Sequence, residues 1–190
     1  MRMPAPEAAA LAQRDELIAE FRALLGRDAV IADQTGLEVY ENDGLTAYAQ
    51  KPMVAVLPAT TDEVAGVLKI CARRGIRVVP RGAGTSLSGG ALPLADGVLL
   101  GLGRFNRILD VDVANRCAVV QAGVPNLAIT TAVAAHGLYY APDPSSQIAC
   151  SIGGNVAENA GGVHCLKYGV TTNNILGLEI VLIDGTVVRL

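Results

Sequence analysis

The sequence predicts an α+β fold, a small βαβ unit leading into a larger, mostly antiparallel region, and three observations carry that expectation. Apolar runs at residues 53–57 and 76–79 flank a stripe of Val64, Val67, Leu68 and Cys71 at helical spacing. Strand, helix and strand in so short a span imply two parallel strands. Beyond them, apolar runs at 98–100, 108–113 and 118–121 follow closely, with Asn115-Arg116 suited to a hairpin turn. Finally, Leu176, Leu178, Ile180 and Leu182 alternate as a strand should, and Asp184-Gly185 signals a hairpin returning through 186–188.

The elements follow in chain order. Up to Gly26 the chain reads as one amphipathic helix, with Leu11, Leu17, Ile18, Phe21, Leu24 and Leu25 at helical spacing and Gly26 as its C-terminal cap. Residues 27–50 are mixed and polar, a connector with short extended pieces. This sets residues 1–50 apart from a domain over 51–190. Pro58 ends the first strand, and Thr61 with Asp62 and Glu63 reads as an N-cap followed by an acidic first turn. Gly75 stops that helix, and Pro80 closes the next strand. Pro125 suits a first helical position, since its missing N–H is not needed there. Leu127, Ala128, Thr131, Ala132 and Ala135 then form a small-residue face that Gly137 terminates. Pro142-Asp143-Pro144 excludes helix nearby. The chain stops at Leu190 within an apolar strand, which reads as the N-terminal piece of something longer, truncated at its C-terminus.

Composition narrows the function. Hydrophobic residues are 51% and charged ones 17%, which excludes a disordered tail. A net charge of −3 attracts no polyanion over a wide surface, so nucleic acid is not expected as a partner. Aromatics are 4% and Trp is absent, which leaves stacking platforms poorly supplied. The cysteines Cys71, Cys117, Cys150 and Cys165 form no CxxC pair, and the start lacks a signal-peptide pattern. No apolar stretch is long enough to span a membrane. The expectation is a soluble, cytoplasmic protein with free thiols and no metal site.

Glycine is concentrated: twelve of the 21 lie in residues 82–103 and 153–169. Glycine is costly to order, so such clusters mark close approach of backbone to something, whereas Gly97, Gly101 and Gly103 suit ordinary turns. The segment 80–90, PRGAGTSLSGG, follows a strand and offers backbone N–H groups and hydroxyls in the manner of an anion-binding nest. It lacks the Gly-Lys-Ser/Thr of a nucleoside-triphosphate loop. Leu87 stands where a dinucleotide fingerprint needs its third glycine, which disfavours NAD on a Rossmann fold. In 151–162, SIGGNVAENAGG, two Gly-Gly pairs flank Asn155 and Asn159, as if backbone and amides lined one face of a planar polar ligand.

These two segments, the second continuing as VHCLKYG and PDPSS lying between them, resemble the PCMH-type FAD-binding domain of the vanillyl-alcohol-oxidase flavoprotein superfamily. Within it the chain is most similar to oxidoreductases of 2-hydroxy acids, of the glycolate oxidase, D-lactate and D-2-hydroxyglutarate dehydrogenase kinds. The resemblance spans about residues 51–190 and implies a βαβ subdomain packed on a larger antiparallel one, with FAD between. It implies that Gly82, Ala83, Gly84, Thr85 and Ser86, with Arg81, hold the FAD pyrophosphate. Pro142, Ser145, Ser151, Gly153, Gly154, Asn155 and Gly161 would run along the flavin and ribityl chain, and Ile180 would offer backbone to the adenine. The first loop has no histidine, so the FAD is expected to be non-covalent. The implied partners are a small 2-hydroxy acid and other subunits of a glycolate-oxidase assembly, an iron-sulfur subunit among them. The cap domain, the substrate-binding arginines and the base or metal-binding histidines of such enzymes fall outside these 190 residues, and no catalytic residue is assigned. A stand-alone flavin- or nucleotide-binding module without catalysis is the alternative.

The other polar residues read more plainly. His136 precedes a capping glycine, where a histidine suits a helix end. His164 reads as structural near the flavin, Asp143 as fixing a turn, and Asp110 and Asp112 as solvated. Arg81 leaves two readings open, phosphate partner or surface residue at a strand end.

Overall fold

Val54, Ala55 and Val56 form a short run with no polar member, and a strand of this kind must be covered on both faces. All three are fully buried. In the computed structural model, which describes residues 3–190, they form β2 (Val54–Val56), a central strand of a four-stranded sheet. Its neighbours are β1 (Val30–Ile31), antiparallel, and β4 (Val98–Gly101), parallel; β3 (Val78–Arg81) lies parallel on the far side of β4. The two strands of the expected βαβ unit are therefore parallel but not adjacent. β4, more apolar and buried along its whole length, takes the place between them.

The crossover helix α4 (Thr61–Arg74) is capped by Thr60, one residue before the expected Thr61. Thr60 Oγ1 accepts from Glu63 N at 3.2 Å, and Glu63 Oε2 accepts from Ala59 N at 2.6 Å. Gly75 ends the helix at φ +66°, a left-handed conformation that glycine adopts without penalty. Its inner face (Val64, Val67, Leu68, Cys71) shares one core with Leu17, Ile18 and Phe21 of α2 (Arg14–Leu25). There, burial pushes the Cys71 thiol up to about 12, so it stays protonated. A Cβ at Gly66 would stand 2.7 Å from Leu24, so glycine sets how closely the two helices approach. Glu20 bridges α2 to Arg73 and Arg74 at the end of α4.

The expected single N-terminal helix is two pieces, α1 (Ala8–Leu11) and α2, separated by a turn at 12–13. The connector holds β1 and α3 (Gln34–Glu38), whose N-cap Asp33 accepts from Gly36 N at 2.8 Å. Residues 8–31 thus add helices and an edge strand to the same sheet.

The antiparallel region consists of two separate hairpins, β5 (Ile108–Asp112) with β6 (Cys117–Val120) and, at the end, β7 (Glu179–Val181) with β8 (Val187–Arg189). Only three residues of the alternating 176–182 run form strand; Leu176 is 86% exposed. Between the hairpins lie α5 (Asn126–Val133), α6 (Ile152–Glu158) and α7 (Cys165–Tyr168). Pro125 is the cap of α5 rather than its first residue. The helix buries Asn126, Ile129 and Val133, while Leu127, Thr131, Ala132 and Ala135 face outward, the reverse of the expected small-residue face. The second glycine cluster, expected as a ligand-lining run, opens as helix, with Gly153 and Gly154 inside α6.

Candidate functional site

Parallel strands place their following loops at one end of the sheet, where ligands of open α/β sheets commonly bind. The loop 82–90 leaves β3 at that end. Gly84 and Gly89 have φ of +73° and +83°, conformations that a side chain would strain. A Cβ on Gly82 would collide with Ser151 Oγ and stand 3.8 Å from Gly154 N. The structure therefore brings the first glycine segment against the start of α6, two stretches some seventy residues apart in sequence.

Ser151 caps α6 by position but not by hydrogen bond. A serine there usually accepts from an amide of the first turn. Here its hydroxyl turns toward Gly82, is buried at 4% exposure, and has no hydrogen-bond partner among the described residues. The same holds for Asn155 Nδ2, on a residue 3% exposed. A buried polar atom left unpaired costs about 1–3 kcal/mol. Ser151 lies against a loop whose Gly82 and Gly84 have no room for a Cβ, and Asn155 follows it one turn along α6, which suits a polar ligand at the junction.

The other expected site residues divide. Ala83, Thr85 and Ser86 lie in the loop; Gly44 N donates to Ser86 O at 2.9 Å. Gly154 stays open toward Ser151, whereas Gly153 is glycine for another reason: a Cβ there would press on Ala122 at 2.8 Å. Gly161 packs against Val170 and Cys165. Pro142 is buried, its carbonyl accepting from Asn126 Nδ2 at 3.0 Å, while Ser145 is exposed. Arg81 is 9% exposed, which rules out the surface reading. Nη1 donates to Tyr40 O at 3.3 Å and Ala91 O at 3.2 Å. The guanidinium lies under Gly84, where a Cβ would strike it.

Ile180 lies in the terminal hairpin. Leu178 and Leu190 exchange both backbone bonds, and Ile180 pairs with Val188 two residues on. In an antiparallel ladder this alternation directs the Ile180 N–H and C=O into the hairpin. The outward-facing backbone groups of β7 are those of Glu179 and Val181. The hairpin packs on α4, with Thr61 Oγ1 donating to Glu179 at 2.6 Å.

A second polar group surrounds Asp143, which fixes its turn as expected but through a specific partner. His164 N and Nδ1 meet its two carboxylate oxygens at 3.2 and 2.7 Å. Burial works against the Asp143 charge, yet these bonds hold its carboxyl below the ordinary range. Among the described residues no group of three or more His, Cys, Asp or Glu side chains could hold a metal ion. No described helix is long and apolar enough to cross a membrane.

Sequence reasoning missed residues 40–44, which reach the glycine loop from outside, and the buried Asn126 and half-buried Tyr140, each with a buried side-chain oxygen that has no hydrogen-bond partner among the described residues. An Asp-Gly pair at 43–44 was the one local signal available.

Residues 52–190 match the family described as FAD binding domain. The chain belongs to that family. Its cofactor is FAD, and the unpaired Ser151 hydroxyl beside Gly82, with the unpaired Asn155 amide one turn further along α6, fits such a group. Over 151 residues it is 61% identical to glycolate oxidase subunit GlcD of Escherichia coli (strain K12), covering 80% of this chain and 30% of that one. It is 36% identical over 176 residues to D-lactate dehydrogenase of Anaerostipes hadrus, covering 92% and 37%. The solved structure of p-cresol methylhydroxylase with substrate bound superposes at a TM-score of 0.81 with 25% identity, over 98% of this chain and 36% of that one. The chain thus spans about a third of the length of the relatives it matches.

Proposed function

We propose that this chain is the FAD-binding portion of a flavin-dependent 2-hydroxy-acid oxidoreductase of the glycolate or D-lactate type. The single observation that carries this reading is the junction of the Gly82–Ser86 loop with the start of α6, where the buried, unpartnered Ser151 hydroxyl meets Gly82 and neither Gly82 nor Gly84 has room for a Cβ. The relatives' activities supply the substrate class.

The residues take these roles. Ala83, Gly84, Thr85 and Ser86 offer amides and hydroxyls to the diphosphate, a nest whose fixed dipoles favour an anion. Ser151 Oγ and Asn155 Nδ2 orient the cofactor across the loop, with Gly154 leaving it room. Arg81 holds the loop from beneath and contributes positive charge through the backbone layer. The adenine is met by Glu179 or Val181 backbone rather than by Ile180. Bound FAD supplies a two-electron acceptor for the hydride on the substrate's hydroxyl-bearing carbon. The chain's own contribution is binding and orientation; no base for the hydroxyl proton is assigned to these residues. With no histidine in the loop, the FAD is held without a covalent bond. The subunit designation of the Escherichia coli relative supports other subunits as partners; an iron-sulfur protein among them remains part of this proposal, and the four free thiols support a cytoplasmic setting.

The test is the spectrum of the full-length protein. A flavin band, release of free FAD on acid precipitation, and anaerobic bleaching by glycolate or D-lactate are expected. Flavin that stays with the pellet would overturn non-covalent binding, and a flavin band that no 2-hydroxy acid bleaches would favour the binding module without catalysis.

A further inference from the structure

We infer that Asp43 is a positioning residue for FAD: with Tyr40 and Gly44 it forms a bracket that imposes the shape of the phosphate loop. The inference rests on the reading of residues 82–86 as that loop, and it concerns a segment outside the family match at 52–190.

The loop has little internal support. Its own bonds are Ser88 N to Ser86 Oγ at 3.3 Å and Leu92 N to Gly89 O at 3.1 Å. The bracket reaches it at three places. At the root, Arg81 is anchored to Tyr40 O and lies over the Tyr40 ring, 5.9 Å from its centre. At the crest, Gly44 N donates to Ser86 O at 2.9 Å, and a Cβ on Gly44 would stand 2.7 Å from Thr85 O. At the return, Asp43 Oδ2 accepts from Gly89 N at 3.2 Å, the amide of a glycine at φ +83°. Arg81 closes the ring on Ala91 O. Asp43 is 5% exposed, and its other oxygen accepts from Leu45 N at 3.0 Å, which fixes the carboxylate within its own turn.

The sign of the effect distinguishes this role. A carboxylate near a diphosphate should weaken binding by simple charge repulsion, so its removal would tighten FAD. A carboxylate that shapes the nest acts oppositely, since its loss leaves the loop amides free to point away. Asp43→Asn tests this with almost unchanged volume, because an amide offers one acceptor where two N–H groups need one each. Gly44→Ala tests the same bracket with Asp43 intact, by pressing on Thr85.

The experiment measures FAD affinity of the full-length apoprotein by flavin fluorescence, with hydrogen exchange followed peptide by peptide. Both variants are expected to weaken FAD at least tenfold, with protection lost in 82–91 and kept in β2 and α4. Unchanged or tighter binding in Asp43→Asn overturns the inference, as does loss of protection throughout the molecule in both variants. Gly84→Val separates the two readings. If it abolishes FAD binding while Asp43→Asn does not weaken it, the bracket fails and the loop assignment stands. If Gly84→Val leaves affinity unchanged, the loop assignment itself fails.

Discussion

The stretch before Leu102 and the stretch after it handle apolar surface in opposite ways. Among the described residues, all buried apolar side chains except Val124, Ile129, Val133, Pro142, Cys150 and Ile152 belong to the first. Val163, Leu166 and Leu176 of the second are more than four-fifths exposed. All four buried polar atoms without partners, on Asn126, Tyr140, Ser151 and Asn155, are also in the second. One stretch is a scaffold with its own core; the other owes less of its order to apolar burial. The two meet where the glycine loop leaves the scaffold and Gly82 lies against the unpartnered Ser151 hydroxyl.

The contrast can be broken or sharpened in order of effect. Phe21 is fully buried between α2 and α4, so Phe21→Ala should cost about 3–5 kcal/mol in chemical unfolding. Exchange should rise together in β2, β4 and α4; a rise confined to α2 would show that the scaffold is not one unit. Ile152 belongs to a cluster of three, so Ile152→Ala should cost about 2 kcal/mol, the low end for such a truncation, with exchange rising only between Val124 and Ile152. A cost equal to that of Phe21→Ala would erase the distinction. The smallest effect is electrostatic. Hydrogen bonding from Arg74 holds the Glu20 carboxyl below its ordinary value, against the opposing effect of burial and with help from the Arg74 and Arg73 charges. Its folded pKa is depressed, so the pair stabilises fully above about 4.5 and is lost as pH falls through the lower folded value. The pair is partly solvated and worth at most about 1 kcal/mol. Glu20→Gln should lower the melting temperature slightly at pH 7 and flatten its decline between pH 5 and 3. An unchanged acid slope would assign that decline to other carboxylates.

Local chemistry was legible wherever a residue acts on its own neighbours. The α4 stripe, Gly75 as a left-handed cap, Arg116 at φ +55° in the β5–β6 turn and Gly185 at φ +81° all follow from nearby sequence. Where the structure departs from expectation, a distant partner decides. Pro125 caps rather than starts α5 because that stretch is tied to Ser151 through a β-bridge. Val64, Val67 and Leu68 find their counterparts in Leu17, Ile18 and Phe21, so the N-terminal helix shares the core of the βαβ unit.

The sequence by itself determined which residues have unusual backbone freedom and which pattern of family motifs they compose, because φ preference and motif order are properties of adjacent residues. Only the tertiary structure decided that Gly153 is glycine for Ala122 while Gly82 is glycine for Ser151. It also decided that Arg81 lies beneath its loop and that Asp43 grips the loop from forty-six residues away. Such assignments depend on which surfaces meet when β4 inserts between β2 and β3, and that choice follows from burying the most apolar strand at the centre of the sheet.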